Sequence, residues 1–146
     1  LHPTTILNRQ HFNLTLERLA YQIVEEHGNL SDTVLLGIQP RGTYLANKLA
    51  DLLKKVLDKN DISPGTLDIT FYRDDIRKKE EVIIPKSTDI NVSLENKNVI
   101  LIDDVLYTGR TIRAALDAML SYGRPFTVEL LVLVDRRFRR QLPVKP

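Results

Sequence analysis

No cysteine occurs anywhere in the chain, so disulfide bridges and thiolate metal centres are excluded and nothing points to secretion. No apolar run approaches the ~20 residues that a membrane-crossing helix needs. No secretory leader is visible, and the opening on Leu1 without an initiating Met suggests a trimmed start, so a cytoplasmic protein is expected. The three histidines, His2, His11 and His27, are scattered without ligand spacing and are expected to be surface residues. Two phosphate-binding signatures are missing: neither Gly-x-x-x-x-Gly-Lys-Ser/Thr nor Gly-x-Gly-x-x-Gly occurs. This excludes a standard NTPase loop and a dinucleotide fingerprint. Internal repeats and low-complexity tracts are absent. Charge of one sign is scarce as well, with a formal net charge of +2, too small to imply nucleic acid by itself. The basic residues are nevertheless uneven, and Arg136, Arg137, Arg139 and Arg140 crowd the C-terminal end.

What remains is ordinary soluble composition, 42% hydrophobic and 27% charged, over 146 residues, enough for one domain, residues 1–146, with a real core. The most informative stretch runs from Asn98 to Gly123. Val99, Ile100, Leu101 and Ile102 form a short apolar run suited to the middle of a parallel sheet. Asp103 and Asp104 sit where that strand is expected to end. A turn with hydroxyls and Gly109 follows, then a helix whose Ile112, Ala115, Leu116, Met119 and Leu120 share one face and which Gly123 and Pro125 stop. Upstream, Phe12 to His27 is predicted as an amphipathic helix and Thr33 to Ile38 as the first core strand. Gln39-Pro40-Arg41-Gly42 reads as a tight turn before a helix marked by Leu45, Leu49, Leu52, Leu53 and Val56. Thr66 to Phe71 alternates as a strand should, and Thr127 to Val134 is another buried strand. Tyr72 to Asn98 is long, charged and irregular, as functional or mobile segments are. The alternation of strand and helix predicts an α/β fold, a parallel central sheet flanked by helices.

The turn after Asp104 has a chemical consequence. It brings backbone N–H groups and the positive end of a helix dipole to one point, which favours a phosphate. Thr108 and Thr111 add hydroxyl donors, and Gly109 lets the main chain come close. Carboxylates are poor phosphate ligands, so Asp103 and Asp104 should grip vicinal hydroxyls or a magnesium ion instead. A sugar phosphate meets both demands. Arg41, between the first core strand and a helix, falls on the same sheet edge, where ligands of open α/β sheets bind. Asp135 and Arg136 end the last strand there too.

Four apolar residues, two acids and a turn with Thr108-Gly109-x-Thr111 resemble the phosphoribosyl-pyrophosphate (PRPP) motif of type I phosphoribosyltransferases. The longer string from Asp103 to Thr111 looks like one branch, PyrR, the bifunctional pyrimidine operon regulators and uracil phosphoribosyltransferases. Gly123-Arg124-Pro125, Leu133 to Arg136, Gly37 to Gln39 with Arg41-Gly42, and Asp68 to Thr70 with Tyr72 to Asp75 match that branch as well. The resemblance runs over nearly the whole chain. It implies Mg²⁺-dependent transfer of ribose-5-phosphate from PRPP to uracil, giving UMP and pyrophosphate. It also implies a flexible lid loop, a small hood and a homo-oligomer built of dimers. The segment closing over the base continues past the position of Pro146, so the hood is expected to be partly missing and the domain truncated at that end.

Residue by residue, the resemblance places the ribose hydroxyls at Asp103 and Asp104, which also meet the metal indirectly, through PRPP. The 5′-phosphate turn falls at Tyr107, Thr108, Gly109, Arg110 and Thr111, with Val105 and Leu106 before it also counted among the substrate-binding positions. The pyrophosphate loop falls at Gln39 to Gly42, with Pro40 where members commonly have Thr. Arg41 and Arg73 are the cations expected at the reaction, with Asp74, Asp75, Arg77, Lys78 and Lys79 in the lid. Asp135 and Arg136 border the base. A transferase for another nucleobase remains an alternative. A second one is an RNA-binding regulator that senses UMP or UTP and binds pyrimidine operon mRNA, with Arg18, Arg139, Arg140 and Lys145 as candidate phosphate contacts. RNA-binding members carry a Thr-Arg pair, a His and a later Arg on the first helix; Glu17, Arg18, Tyr21 and Glu26 stand there in this chain. Two acids on that surface repel an RNA backbone.

Overall fold

The protein is described from a computed structural model, which covers residues 4–73 and 88–146. Helix α1 spans Arg9–His27, strand β1 Thr33–Ile38, helix α2 Arg41–Leu57 and strand β2 Gly65–Leu67. Strand β3 spans Asn98–Leu106, helix α3 Arg110–Met119 and strand β4 Thr127–Asp135. The sheet order is β2-β1-β3-β4, and every neighbouring pair is parallel. This is the expected α/β architecture. No helix among the described residues is long and apolar enough to cross a membrane.

Strand alternation divides the core in two. Leu35, Ile100, Ile102 and Leu131 face α1 and α2, where they pack with Leu16, Ala20, Ile23, Leu45, Leu49 and Leu53. Val34, Leu36, Val99 and Leu101 face the other way, onto Ile112, Ala115, Ala118 and Met119 of α3. Helix-period apolar residues on α2 and α3 therefore meet period-two residues on the strands, which sandwiches the sheet.

Three boundaries differ from the sequence reading, each for a local reason. Helix α1 begins three residues before Phe12, because the Asn8 side chain accepts the His11 N–H at 2.8 Å and caps it. Strand β2 stops at Leu67 instead of continuing to Phe71. The Asp68 carboxylate accepts both the Thr70 N–H and the Thr70 hydroxyl, which turns the chain into a short 3₁₀ turn over Thr70–Tyr72. Strand β3 does not end before its acids: its ladder with β4 runs on to the Leu106 and Asp135 pair, so Asp103 and Asp104 lie within the strand. The lid expectation falls mostly on residues 74–87, among them Asp74, Asp75, Arg77, Lys78 and Lys79, outside the described residues. Its far flank is tied to the sheet, where Thr66 and Asp89 exchange backbone hydrogen bonds of 2.8 and 2.9 Å.

Candidate active site

The carboxyl ends of β1, β3 and β4 present the candidate residues together. Their closeness begins with a glycine. Gly42, in the first turn of α2, has its Cα so near the β3 backbone that a Cβ would lie 2.2 Å from the Ile102 carbonyl oxygen. Contact without a side chain presses the start of α2 against β3. Alternation carries Asp104 to the same face as Ile102, and Arg41 Nη1 donates to Asp104 Oδ2 at 3.0 Å. Pro40 occupies the residue before the helix, after a cis Gln39–Pro40 bond. The turn read from Gln39 to Gly42 is thus the start of α2, held against the acidic strand end.

Asp103 is of a different kind. It is 8% exposed and is the one charged residue among the buried ones described. Its Oδ1 accepts the Asp104 N–H at 2.9 Å. Burial pushes its carboxyl up to about 6; the amide of Asp104 opposes the shift, the Asp104 charge adds to it, and the Arg41 cation offsets part. Asp104 is more open, with its side chain 28% exposed, and is already bonded to Arg41. The adjacent acids therefore differ in environment. Both offer only oxygen donors, and two carboxylates are few for a protein-built cage. That set fits a hard Mg²⁺ ion that keeps water and substrate oxygens as its remaining ligands.

The turn expected to hold an anion follows. Gly109 has φ +90, a left-handed conformation that L side chains rarely adopt, and it leads directly into α3 at Arg110. The Thr108 Oγ1 accepts the Arg110 N–H at 3.4 Å, and Thr111 is half-buried in the first turn. Val105 is half-buried and Leu106 fully buried beneath. The turn is braced from a direction that the sequence reading missed. The Thr108 carbonyl accepts from the N–H of Gln141 at 2.9 Å and of Leu142 at 3.2 Å, and Leu142 and Val144 lie over Gly109. The signal was there in Leu142-Pro143-Val144, an apolar break after an arginine-rich stretch.

At the end of β4, the Arg136 guanidinium stacks on the Tyr107 ring, 4.1 Å from its centroid, and the Arg136 backbone N–H donates to the Leu106 carbonyl at 2.8 Å. Arg136 thus joins the last strand to the Gly109 turn. Asp135 pairs with Arg137 at 3.1 Å and with Arg140. Arg140 is turned inward by that pair, with one guanidinium nitrogen buried. Arg139 and Lys145 are exposed, as is Arg18 on α1. Arg73 is exposed just after the 3₁₀ turn. The fold gathers Arg41, Asp103, Asp104, Tyr107 to Thr111, Asp135 and Arg136 at one sheet edge.

Comparison with known proteins identifies the family and the fold. Residues 2–146 match the phosphoribosyl transferase domain. A protein of Enterococcus faecalis named bifunctional protein PyrR is 52% identical over 130 residues, spanning 89% of this chain and 71% of that protein. Bifunctional protein PyrR of a Picosynechococcus species is 50% identical over 141 residues, 97% of this chain and 78% of that one. Among solved structures, a hypoxanthine phosphoribosyltransferase of Staphylococcus aureus superimposes with a TM-score of 0.68 at 24% identity, covering 97% of this chain and 73% of that one. The hypoxanthine phosphoribosyltransferase of Trypanosoma cruzi gives 0.71 at 14% identity, over 98% and 77%. At such identities the structural likeness speaks for the fold alone.

Proposed function

The chain belongs to the phosphoribosyltransferase family, in its PyrR branch, and from that premise we propose that it transfers ribose-5-phosphate from PRPP to uracil, forming UMP and pyrophosphate. The observation that carries the reading is the Arg41–Asp104 clasp beside buried Asp103, one strand end away from the Gly109 turn. A doubly phosphorylated ribose needs a grip on its hydroxyls, a cradle for its 5′-phosphate and a cation for its pyrophosphate. These residues offer all three.

In the reaction the C1–oxygen bond to pyrophosphate breaks, the bond from C1 to N1 of uracil forms, and N1 gives up its proton. Bond loosening runs ahead of attack, so positioning and charge stabilisation supply most of the acceleration. Backbone N–H groups at the start of α3, with Thr108 and Thr111, anchor the 5′-phosphate. Asp104 takes the ribose hydroxyls and in doing so releases Arg41, whose guanidinium turns to the leaving pyrophosphate. Asp103 fixes the backbone between them through the Asp104 amide. Arg136, stacked on Tyr107, borders the base. Asp103 and Asp104 would meet Mg²⁺ indirectly, through PRPP, and the ion would neutralise charge on the pyrophosphate. Arg73 acts from the lid, and the working protein is a homo-oligomer of dimers.

The choice of uracil follows the branch, since the structural neighbours named for hypoxanthine share only the fold. Incubating the protein with PRPP, Mg²⁺ and uracil, hypoxanthine, guanine or orotate in turn tests it. UMP is the expected product. Asp104→Ala and Arg41→Ala should each lose orders of magnitude in turnover while melting within about 1 kcal/mol of the parent, as partners of an open ion pair do. Turnover of a purine with none of uracil overturns the assignment. The second activity that the resemblance implies, regulation through operon mRNA, ranks below the enzyme because of the acids on α1.

A further inference from the structure

At the amino ends of the strands, on the opposite edge of the sheet, we propose that Glu26, His27 and Glu129 form a site for a first-row transition-metal dication such as Zn²⁺, tying α1 to β4. His27 and Glu129 lie 102 residues apart in sequence, which is why ligand spacing gave no sign of the site. One donor atom from each of the three side chains lies within 4.8 Å of the others. The His27 Nε2 and Glu129 Oε2 atoms are 3.1 Å apart. Two ligands on a tetrahedral ion with bonds of about 2.0–2.1 Å stand about 3.3 Å apart, so this pair already has the required separation.

The surroundings orient the donors. His27 is nearly buried, its side chain 7% exposed, and its Nδ1 faces the Thr33 hydroxyl at 3.4 Å. A neutral imidazole with its proton on Nδ1 donates to that hydroxyl and turns the Nε2 lone pair toward the two carboxylates, the arrangement that metal-bound histidines use. Gln22 Nε2 donates to Glu26 Oε1 at 3.3 Å and steadies the third ligand. The three residues share the wall of a cavity of about 170 Å³ with Ile23, Ile100 and Leu131. Those apolar side chains form a floor beneath His27, while the two carboxylates stay exposed. The end of α1 adds its negative dipole. Imidazole with carboxylates suits Zn²⁺, Co²⁺ or Ni²⁺ better than Mg²⁺, which separates this site from the oxygen-only pair at Asp103 and Asp104.

The full chain, stripped with a chelator, is titrated with Zn²⁺ against a chromophoric chelator and with Co²⁺ followed by its visible absorption. Saturable binding of one equivalent, a rise in Tm with Zn²⁺ and a Co²⁺ spectrum of low coordination number are expected. His27→Gln and Glu129→Gln should each weaken Zn²⁺ binding by about tenfold or more and abolish the Tm rise, with uracil transfer unchanged. Glu129 is half-exposed on an edge strand, so its variant folds and carries the test if His27→Gln does not. The proposal is overturned if Zn²⁺ does not saturate, if Glu129→Gln binds it as the parent does, or if Asp104→Asn is the change that removes it.

Discussion

Asp103 and Asp104 are chemically identical neighbours, yet one is buried and the other is open and bonded to Arg41. Asp103 lies buried, with its carboxyl raised to about 6 mainly by loss of water. A carboxyl held above its unfolded value of 3.8 favours folding in its protonated form. Its contribution is complete below about pH 4, declines as the pH rises, and is gone above about pH 6, where folding must place a bare charge out of water. Asp103→Asn removes that titration while keeping an oxygen for the Asp104 amide. Denaturant unfolding from about pH 4 to about pH 8 should show the parent losing on the order of 2 kcal/mol relative to the variant, then running level with it. Parallel curves for the two proteins count against burial as the cause. Both acids and Arg41 stood out in the sequence as candidates, but which acid is buried and which holds the arginine did not. That distinction comes from the alternation of β3 between two layers, and the layers exist only once the sheet is assembled.

Elements were legible wherever the apolar period was clear. Helices α2 and α3 follow their apolar residues, and β1 follows its uninterrupted hydrophobic run. The failures are polar residues bonding the backbone over two or three positions: Asn8 lengthens α1, and Asp68 cuts β2 short. The extension of β3 beyond Ile102 is a partner effect, since β4 continues to offer its ladder as far as Asp135. Gly42 shows how an element places a site. It read as an ordinary turn residue, whereas in the fold it lets the end of a helix rest on a strand. In Gly42→Ala the new methyl meets main-chain atoms, the Ile102 oxygen at 2.2 Å and Asp103 Cα at 3.2 Å, which cannot rotate aside. Helix α2 must then lift from β3. A loss of about 1–3 kcal/mol in unfolding free energy is expected, with a raised KM for PRPP as Arg41 moves away from Asp104. Parental stability together with parental KM argues that the helix start is not seated as described.

On the scale of the whole molecule, two kinds of surface compete to define what the chain does. The resemblance spans nearly the full length, and relatives 50–52% identical carry it, so membership of the branch is legible in the sequence. The contact between His27 and Glu129 is not, because nothing local links a helix end to a strand a hundred residues on. Charge distribution bears on the second activity. Helix α1 exposes Arg18 and Tyr21 outward, with Glu17 on its flank toward α2 and Glu26 on its opposite flank toward β4. Of the arginines crowded near the C-terminal end, Arg136 is stacked on Tyr107, while Arg137 and Arg140 are paired with Asp135. Arg136, Arg137, Arg139 and Lys145 are nevertheless all exposed, on a molecule with a net charge of +2. Phosphate contacts dominate RNA affinity, and each one neutralised steepens its salt dependence. Filter binding to a pyrimidine-operon leader hairpin, over a salt series and with or without UMP, is therefore expected to show weak retention that fades by physiological salt and ignores UMP. Tight, hairpin-specific retention that UMP strengthens would mean that another face of the protein reads RNA, and the regulator would regain equal standing with the enzyme.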